Sequence, residues 1–384
     1  MRVLYISEVQ WLSQVSRKHQ LVSRLPDDWD VLFLSPINTS ANENSFRERA
    51  DARHTNVRYA SIPLPKPDSN LAPVRAVTGI LSHTGGRALL SRVRTFEPDV
   101  VVCSYIWAAP VVPRIRALGI PVVYDCNDLH PQFYPACPDA AESAFRSLIA
   151  GATEVVSSSG RLREVCGRGT VLGNGVDLAT FTGRRDGPLP ALIAQSPLGD
   201  GERLVAYVGS VDDRVDFDIL EALTGAVSAL ETRTGVVCVG RVFAGVRDRA
   251  EALAGKYGDH ILFTGRVPYD ELPDYLSRSS VGIAPFVLDE RTRAINPNKL
   301  YMYAAMEQNI VSTPFSADIA EHEGLIFIAS GADAFARSVI EALGDEERRR
   351  AVRDRIAVPN SWDERARAFQ KILARIASEG RGEA

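Results

Sequence analysis

The chain has 384 residues with 45 % apolar and 24 % charged side chains, which predicts two globular domains and excludes both a single small core and a disordered chain. The formal net charge of -4 gives no electrostatic reason to expect a nucleic-acid partner. No apolar run approaches the roughly 18 residues that a membrane span needs, and the N-terminus lacks a signal peptide, so we expect a cytoplasmic protein.

Short β-branched runs alternate with longer helical patterns from the first residue onward, which predicts parallel βαβ units. In the first half the predicted strands are Arg2–Ser7, Asp30–Leu34, Val57–Ile62, Asp99–Ser104, Pro121–Asp125, Glu154–Ser157 and Thr170–Leu172. In the second half they are Arg203–Val208, Val236–Val239, His260–Phe263, Val281–Pro285, Asn309–Ser312 and Leu325–Ile328. We therefore predict two Rossmann-like domains that face a cleft, over 1–182 and 203–360, joined by a Gly/Pro-rich linker over 183–202.

Three helical segments complete the organisation. Residues 361–384 open with the capping box Ser361-Trp362-Asp363-Glu364 and carry an apolar stripe, so this helix docks on its own domain or crosses back to the N-terminal one. Residues 71–94 mix leucines with arginines, which fits a solvated helix face or a peripheral contact with the inner face of the membrane. The acidic pair at Asp216 and Asp218 is interpreted as a helix N-terminus and not as a metal site.

Several familiar motifs are absent. The sequence contains no phosphate-binding P-loop, no Gly-x-Gly-x-x-Gly after the first strand, no His-Glu-x-x-His and no Gly-x-Ser-x-Gly. Its five cysteines form no Cys-x-x-Cys pair, and its six histidines show no metal-ligand spacing. We therefore expect free thiols, no metal and no tightly bound cofactor.

Five segments follow or precede predicted strands, at the strand ends where open α/β sheets bind ligands. They are Val171–Phe181, Tyr207–Ser210, Val239–Arg241, Phe263–Leu272 and Asn296–Tyr303. In this order and spacing they resemble the GT-B glycosyltransferases, specifically the large retaining group called family four. Trp11 followed by the helix start Ser16–Leu21 is similar to a subset of bacterial envelope-polysaccharide transferases. The resemblance covers nearly the whole chain. It implies transfer of a sugar from a nucleoside diphosphate donor, with a UDP-sugar as the default, and without a metal.

The residue types at these strand ends suit a diphosphate. Gly209 and Ser210 leave backbone amides open, and Pro297 starts a helix whose free amides attract an anion, to which Lys299 adds a charge. The predicted nucleotide-sugar residues are Gly209, Ser210, Arg241, Arg266, Val267, Asn298, Lys299, Leu300 and Met302. Arg241 is also a predicted catalytic residue, because it can neutralise the leaving diphosphate. Turn glycines, a surface ion pair and a plain helix start are the structural alternatives.

The first domain departs from the glycine-rich loop of the family after its first strand. Arg17 and Lys18 stand at a helix start, where they either face the cleft or form a solvated basic surface. Asp128 and His130 follow the strand that ends near Asp125, at the place where relatives carry His-Asp. We predict that one of them orients an acceptor hydroxyl, whereas a buried aspartate that caps a loop is the alternative.

Two carboxylates of the family pattern are missing. Relatives carry Glu-x7-Glu, of which the second glutamate grips the ribose hydroxyls and the first contacts the donor sugar; Met302 and Ala294 stand in these places. A thioether is a weak acceptor, so either the ribose is held by another group or it binds weakly. We expect a pocket reshaped around Met302 by Tyr301 or Tyr303.

These observations together predict a GT-B glycosyltransferase that acts on a hydroxyl acceptor with retention. The acceptor is either an envelope polysaccharide or lipid precursor or a small natural product. The missing glutamates leave two alternatives, which are a non-catalytic GT-B subunit that partners another transferase and a sugar-nucleotide epimerase. We expect replacement of Lys299 or Arg241 by Ala to weaken UDP binding by about 1.5 to 3 kcal/mol.

Overall fold

The β-branched runs of the sequence form two separate parallel sheets in a computed structural model, which describes residues 1–13, 15–37, 47–64, 85–182, 188–200 and 203–382. Contacts divide the chain into a first unit, Met1–Gly173 with Asp363–Ala384, and a second unit, Asn174–Trp362. The division falls upstream of the predicted boundary at residue 182. The linker residues 183–187 and 201–202 lie outside the described part of the chain, as do residues 71–84 of the predicted amphipathic stretch.

The first unit contains an eight-stranded sheet in the order β3-β4-β2-β1-β5-β6-β7-β8. Its strands are β1 (Arg2–Ile6), β2 (Asp30–Pro36), β3 (Arg49–Ala50), β4 (Val57–Ile62), β5 (Val100–Cys103), β6 (Val122–Cys126), β7 (Glu154–Ser157) and β8 (Thr170–Val171). Neighbouring strands are parallel except β3, which pairs antiparallel to β4 at the sheet edge. Strand β3 was not predicted, because two exposed residues carry no periodic signal.

The helices of the first unit include the C-terminal one. They are α1 (Arg17–Val22), α2 (85–96), α3 (Val112–Arg116), α4 (Pro138–Gly151) and α5 (Gly160–Cys166). The C-terminal helix, Trp362–Gly382, buries Phe369, Leu373 and Ile376, and its Arg375 pairs with Glu154 of β7 at 3.2 Å. The apolar stripe of this helix is thus covered within the first unit, to which its residues from Asp363 onward belong.

The second unit contains a six-stranded parallel sheet in the order β11-β10-β9-β12-β13-β14. Its strands are β9 (Arg203–Val208), β10 (Thr234–Val239), β11 (Ile261–Gly265), β12 (Ser279–Ala284), β13 (Asn309–Ser312) and β14 (Phe327–Ile328). Its helices are α6 (Ala191–Ala194), α7 (Phe217–Ser228), α8 (Arg247–Tyr257), α9 (Leu272–Leu276), α10 (Glu290–Arg293), α11 (Asn298–Ala305), α12 (Ala317–Ala320), α13 (Ala332–Gly344) and α14 (Glu346–Val352). The C-terminal helix is therefore α15.

Among the parallel strands of each sheet, the order of the strands reverses at one point. In the first sheet β1 lies between β2 and β5, and in the second sheet β9 lies between β10 and β12. The carboxyl ends of the strands at such a reversal leave a crevice in which open α/β sheets bind ligands. The fold thus marks the residues that follow β1, β5, β9 and β12 as candidates for function.

The acidic pair at Asp216 and Asp218 can be checked directly. The side chain of Asp216 accepts hydrogen bonds from the backbone amides of Asp218 and Ile219, which confirms the N-terminus predicted for α7. Among the described residues, no helix has the length and apolarity required to span a membrane.

Candidate functional site

The crevice of the second sheet lies where β9 and β12 end. Gly209 follows β9, and Phe286 lies two positions beyond the end of β12. The helix α11 brings Lys299 to the same place. Its ammonium nitrogen lies 3.8 Å from the ring centroid of Tyr207 and 4.1 Å from that of Phe286.

Lys299 is buried with a side-chain nitrogen that has no hydrogen-bond partner among the described residues. The residue is 8 % exposed. Burial lowers the pKa of Lys299 well below its ordinary value, and the nearby guanidinium of Arg214 lowers it further. The Asp212 carboxylate opposes this shift, but burial outweighs it, so the charged form is unfavourable and the position is suited to a negatively charged ligand.

Two glycines permit the close packing of backbone beside Lys299. Gly209 has φ +130°, and a Cβ placed there would lie 3.4 Å from the Lys299 nitrogen. Gly240 follows β10 with φ +155°, and a Cβ there would lie 1.9 Å from the carbonyl oxygen of Gly209. Any larger residue at either position would strain the backbone or crowd the turn. The glycine predicted at 209 therefore lies beside the lysine predicted at 299.

Arg214 belongs to this site and was missed by the sequence analysis. Its guanidinium pairs with Asp212 through Nε and Oδ1 at 2.9 Å and lies 5.9 Å from the ring centroid of Phe286. The hydroxyl of Tyr207 donates to the carbonyl oxygen of Ser210 at 2.6 Å, which holds the turn after β9. The side chains of Lys299, Arg214 and Asp212 carry a net positive charge when ionised. The sequence could have indicated Arg214, because it is the first arginine after Gly209, the glycine that follows β9.

Arg241 and Arg266 lie together in a groove of the second unit. Both are exposed and line a groove of ≈ 720 Å³ along β11 and α8. The guanidinium of Arg241 lies 4.7 Å from the ring centroid of Phe243. The structure thus places Lys299 with Gly209, and Arg241 with Arg266.

The remaining nucleotide-sugar candidates differ in exposure. Val267 and Leu300 are buried in the core of the second unit, so only their backbone can meet a ligand. Met302 is half-buried and packs against that core. Asn298 is half-buried as well, and its Oδ1 is a buried atom without a hydrogen-bond partner in the described residues.

A hydrogen-bonded network of asparagines fixes the start of α11. The backbone amide of Asn174 donates to Asn296 Oδ1 at 2.7 Å, and Asn174 Nδ2 donates to the Asn296 carbonyl at 2.7 Å. The Tyr301 hydroxyl donates to the same Oδ1 at 3.1 Å. The Tyr303 hydroxyl accepts from the Val208 amide and donates to the Ile283 carbonyl. Both tyrosine hydroxyls are thus engaged in these networks, and the expected reshaping of a pocket around Met302 stays a prediction.

The crevice of the first sheet also holds a polar cluster, again at the strand reversal. Glu8 follows β1 and Ser104 follows β5, and the serine hydroxyl donates to Glu8 Oε2 at 2.7 Å. The ammonium of Lys18 pairs with Glu8 Oε1 at 2.5 Å. Burial alone would raise the pKa of Glu8, yet the ammonium of Lys18 and the hydrogen bond from Ser104 hold it below its ordinary value. We did not predict Glu8 or Ser104, although each is among the first polar residues after a predicted strand.

His130 lies against this cluster. Its Nδ1 is 2.9 Å from the Tyr124 hydroxyl, and its Nε2 is 4.0 Å from Glu8 Oε1, beyond hydrogen-bond range. Burial lowers the pKa of His130, so the imidazole is neutral at pH 7. Asp128 is half-buried and its Oδ2 accepts from Asn127 Nδ2 at 2.9 Å. Both predicted residues therefore lie at the carboxyl end of β6, and His130 contacts the cluster.

Arg17 and Lys18 are buried, which excludes the solvated basic surface that was one alternative. Arg17 donates to Asp125 Oδ1 and to the carbonyl of Gly173, and Lys18 is held by Glu8. In the described part of the chain, no three His, Cys, Asp or Glu side chains are arranged to hold a metal ion.

Comparison with known proteins identifies both halves of the chain. A model described as "Glycosyl transferase 4-like domain" matches residues 16–169, and one described as "Glycosyl transferases group 1" matches residues 202–345. No curated protein matches the chain in sequence.

Solved structures match over almost the full length. A sucrose-phosphate synthase from Thermosynechococcus elongatus has a TM-score of 0.75 at 16 % identity, covering 98 % of this chain and 99 % of its own. The Escherichia coli trehalose-6-phosphate structure bound with UDP-2-fluoro glucose has a TM-score of 0.72 at 14 % identity, covering 97 % and 99 %. A UDP-forming trehalose-phosphate synthase from Burkholderia xenovorans in complex with glucose-6-phosphate has a TM-score of 0.70 at 13 % identity, covering 97 % and 99 %. Identities this low show the fold. With two parallel-sheet units, this shared fold and a glycosyl transferase family model on each half, the chain belongs to the GT-B glycosyltransferases.

Proposed function

We propose that the protein transfers a sugar from a nucleoside diphosphate sugar, with a UDP-sugar as the default donor, to a hydroxyl acceptor. Retention at the anomeric carbon is proposed from the resemblance to family four. One structural neighbour is bound with UDP-2-fluoro glucose and another is in complex with glucose-6-phosphate, which supports a nucleotide-sugar donor and leaves the acceptor class open. An envelope precursor and a small natural product are the candidate acceptors, and the proposed location is the cytoplasm.

Lys299 is the observation that carries the proposal. Its buried nitrogen has no partner among the described residues, lies beside Gly209 and stands in the first turn of α11. The free amides of that turn and the lysine charge both favour an anion. A diphosphate would add negative charge beside the buried nitrogen, and it would raise the pKa of Lys299.

The same charges suit the chemical step. Breaking the bond between the sugar and the diphosphate leaves additional negative charge on the diphosphate, and preorganised cations stabilise this charge most in the transition state. We assign this role to Lys299 and Arg214, and we propose that the reaction needs no metal. Arg241 stays a candidate for contact with the donor from its own groove.

In the first unit we propose that Asp128 or His130 orients the acceptor hydroxyl. His130 is held by Tyr124 and is neutral at pH 7, so its imidazole can accept or donate a hydrogen bond without a change of charge. Glu8 is ionised beside it and can fix the imidazole orientation.

The test is release of UDP from UDP-sugars with and without candidate acceptors, in the presence and absence of a metal chelator. Slow release that acceptors accelerate supports the transferase, and interconversion of the sugars would support the epimerase. Binding without turnover would support the non-catalytic subunit. The absence of carboxylates at 294 and 302 is the observation that motivates this alternative. Lys299→Met serves as the control variant that lacks the proposed anion site.

A further inference from the structure

Two neighbouring residues at the start of α11 carry buried polar atoms without partners in the described chain. Lys299 offers a cationic nitrogen, and Asn298 offers the amide oxygen Oδ1. Buried polar atoms are nearly always hydrogen-bonded, because leaving one unsatisfied is unfavourable. The Lys299 nitrogen points to an anion and the Asn298 oxygen to a hydrogen-bond donor, and both residues stand in the first turn of α11.

The geometry of the helix places Asn298 beside the position that departs from the family. Asn298 and Met302 are four residues apart on α11, so their side chains lie on one face of the helix. The thioether at 302 is too weak an acceptor to hold a hydroxyl, whereas an amide oxygen is a good one. On this face, the acceptor that the helix offers is at 298 and not at 302.

The two atoms together define the chemistry of the ligand. The lysine nitrogen is suited to an anion, and the asparagine oxygen of the preceding residue is suited to a hydrogen-bond donor. The diphosphate group by itself supplies only the anion. A nucleoside diphosphate sugar supplies both, since hydroxyls of the ribose and of the transferred sugar flank the diphosphate.

We propose that Asn298 Oδ1 accepts a hydrogen bond from a hydroxyl of the donor and so takes over the hydroxyl recognition that a carboxylate at 302 would provide. This inference rests on the proposed function. The hydroxyl belongs either to the ribose or to the transferred sugar, and the choice of ligands below separates the two sources. In either case Asn298 determines specificity and takes no part in bond breaking.

The experiment is calorimetric titration of the full chain with UDP, 2′-deoxy-UDP, 3′-deoxy-UDP and UDP-glucose, for the wild type, Asn298→Leu and Met302→Leu. Leucine at 298 keeps the side-chain size and removes the acceptor. Leucine at 302 removes the thioether on the same helix face and keeps the amide oxygen, so it measures the contribution of Met302 separately. Circular dichroism melting checks that each variant is folded.

If the ribose supplies the hydroxyl, the wild type binds UDP about tenfold more tightly than one of the deoxy analogues, and Asn298→Leu abolishes this preference. If the transferred sugar supplies it, Asn298→Leu weakens UDP-glucose by about tenfold and leaves UDP unchanged. A preference that is lost in Met302→Leu and kept in Asn298→Leu would assign the hydroxyl to residue 302 and overturn the inference. A folded Asn298→Leu variant with unchanged affinities, or with equal losses for all four ligands, would overturn the inference alone. Absence of binding of all four ligands to the wild type would overturn it together with the UDP-sugar assignment on which it rests.

Discussion

The guanidinium of Arg17 donates from Nε to Asp125 Oδ1 at 3.1 Å, and both side chains are almost completely buried. The pair joins the start of α1 to the end of β6, across 108 positions of sequence. The Tyr5 hydroxyl donates to the other carboxylate oxygen at 2.8 Å. This interaction fixes a helix beside the crevice of the first sheet, where Glu8, Lys18 and His130 meet.

Replacing Arg17 by Met should destabilise the first unit by about 3 to 5 kcal/mol, because the buried Asp125 carboxylate would lose its cation. Urea unfolding followed by circular dichroism measures the loss. The double variant Arg17→Met with Asp125→Asn should recover part of the stability, since no buried charge is then left unpaired. Equal stability of the single variant and the wild type would show that the pair has no structural role.

Lys299→Met should weaken UDP binding by about 1.5 to 3 kcal/mol and at the same time raise the melting temperature. Burial lowers the pKa of Lys299, which means that its charged form is unfavourable in the fold despite its contacts with two aromatic rings. A thioether of similar length packs well against aromatic rings. Calorimetry and thermal melting test the two effects, and a variant that loses stability along with UDP binding would contradict this explanation.

The pH dependence of stability gives a second readout for Lys299. Between its lowered folded pKa and the ordinary value of 10.5, the unfolded chain binds more protons at this residue than the folded chain does. Lys299 therefore makes the free energy of unfolding rise with pH in that range, and Lys299→Met should remove this part of the slope. Unfolding measured at a series of pH values above 7 tests the prediction.

Arg241→Ala should weaken UDP binding by less than about 1 kcal/mol, which revises the larger loss expected from the sequence. The guanidinium of Arg241 is exposed and stacks on Phe243, so water screens its charge. Calorimetry in parallel with Lys299→Ala, for which about 1.5 to 3 kcal/mol is still expected, makes the comparison direct. Equal losses in the two variants would place both side chains on the diphosphate.

Met302→Glu should tighten UDP binding severalfold and leave the melting temperature nearly unchanged. Met302 is half-buried, so a carboxylate there keeps access to solvent, and the hydroxyls of Tyr301 and Tyr303 are bonded elsewhere. The new carboxylate can accept charge-assisted hydrogen bonds from ribose hydroxyls. A fall in both affinity and melting temperature would instead indicate a pocket adapted to the thioether.

His130 should make the first unit less stable in mild acid. Burial lowers the pKa of His130 below its ordinary value of 6.5, so the unfolded chain takes up the proton first as the pH falls. The stability that the neutral imidazole contributes is present above pH 6.5 and is lost as the pH drops through the folded pKa. His130→Gln should flatten that part of the stability curve, and the two proteins should show parallel curves above pH 7, where the imidazole is neutral in both states.

The sequence predicted the two sheets because each buried parallel strand is a short β-branched run, a signal that is local. Strands β1, β4 and β9 illustrate this, and β4 and β9 have the predicted bounds. The position of Lys299 beside Gly209 was predictable for a related reason, since strand ends and helix starts of one sheet meet at one edge.

The cluster around Glu8 could not be predicted in the same way. Its members lie at positions 8, 18, 104 and 130, and only the completed strand order brings them together. The burial of Arg17 could not be predicted for a similar reason, because its partner Asp125 is 108 positions away in sequence. Arg241 follows β10, as predicted. Its guanidinium stacks on Phe243, and the local sequence pattern did not predict this direction of the side chain.

The first unit consists of two stretches of chain, because residues from Asp363 onward belong to the same unit as residues 1–173. A ribosome synthesises the strands of the first sheet first, but it releases Phe369 and Leu373, which α15 buries in that unit, only after the entire second unit has been made. Until then, the apolar surface that these residues cover in the first unit stays exposed. The second unit is a single continuous segment and can fold during this time. The unit that is synthesised first is thus the one that is completed last.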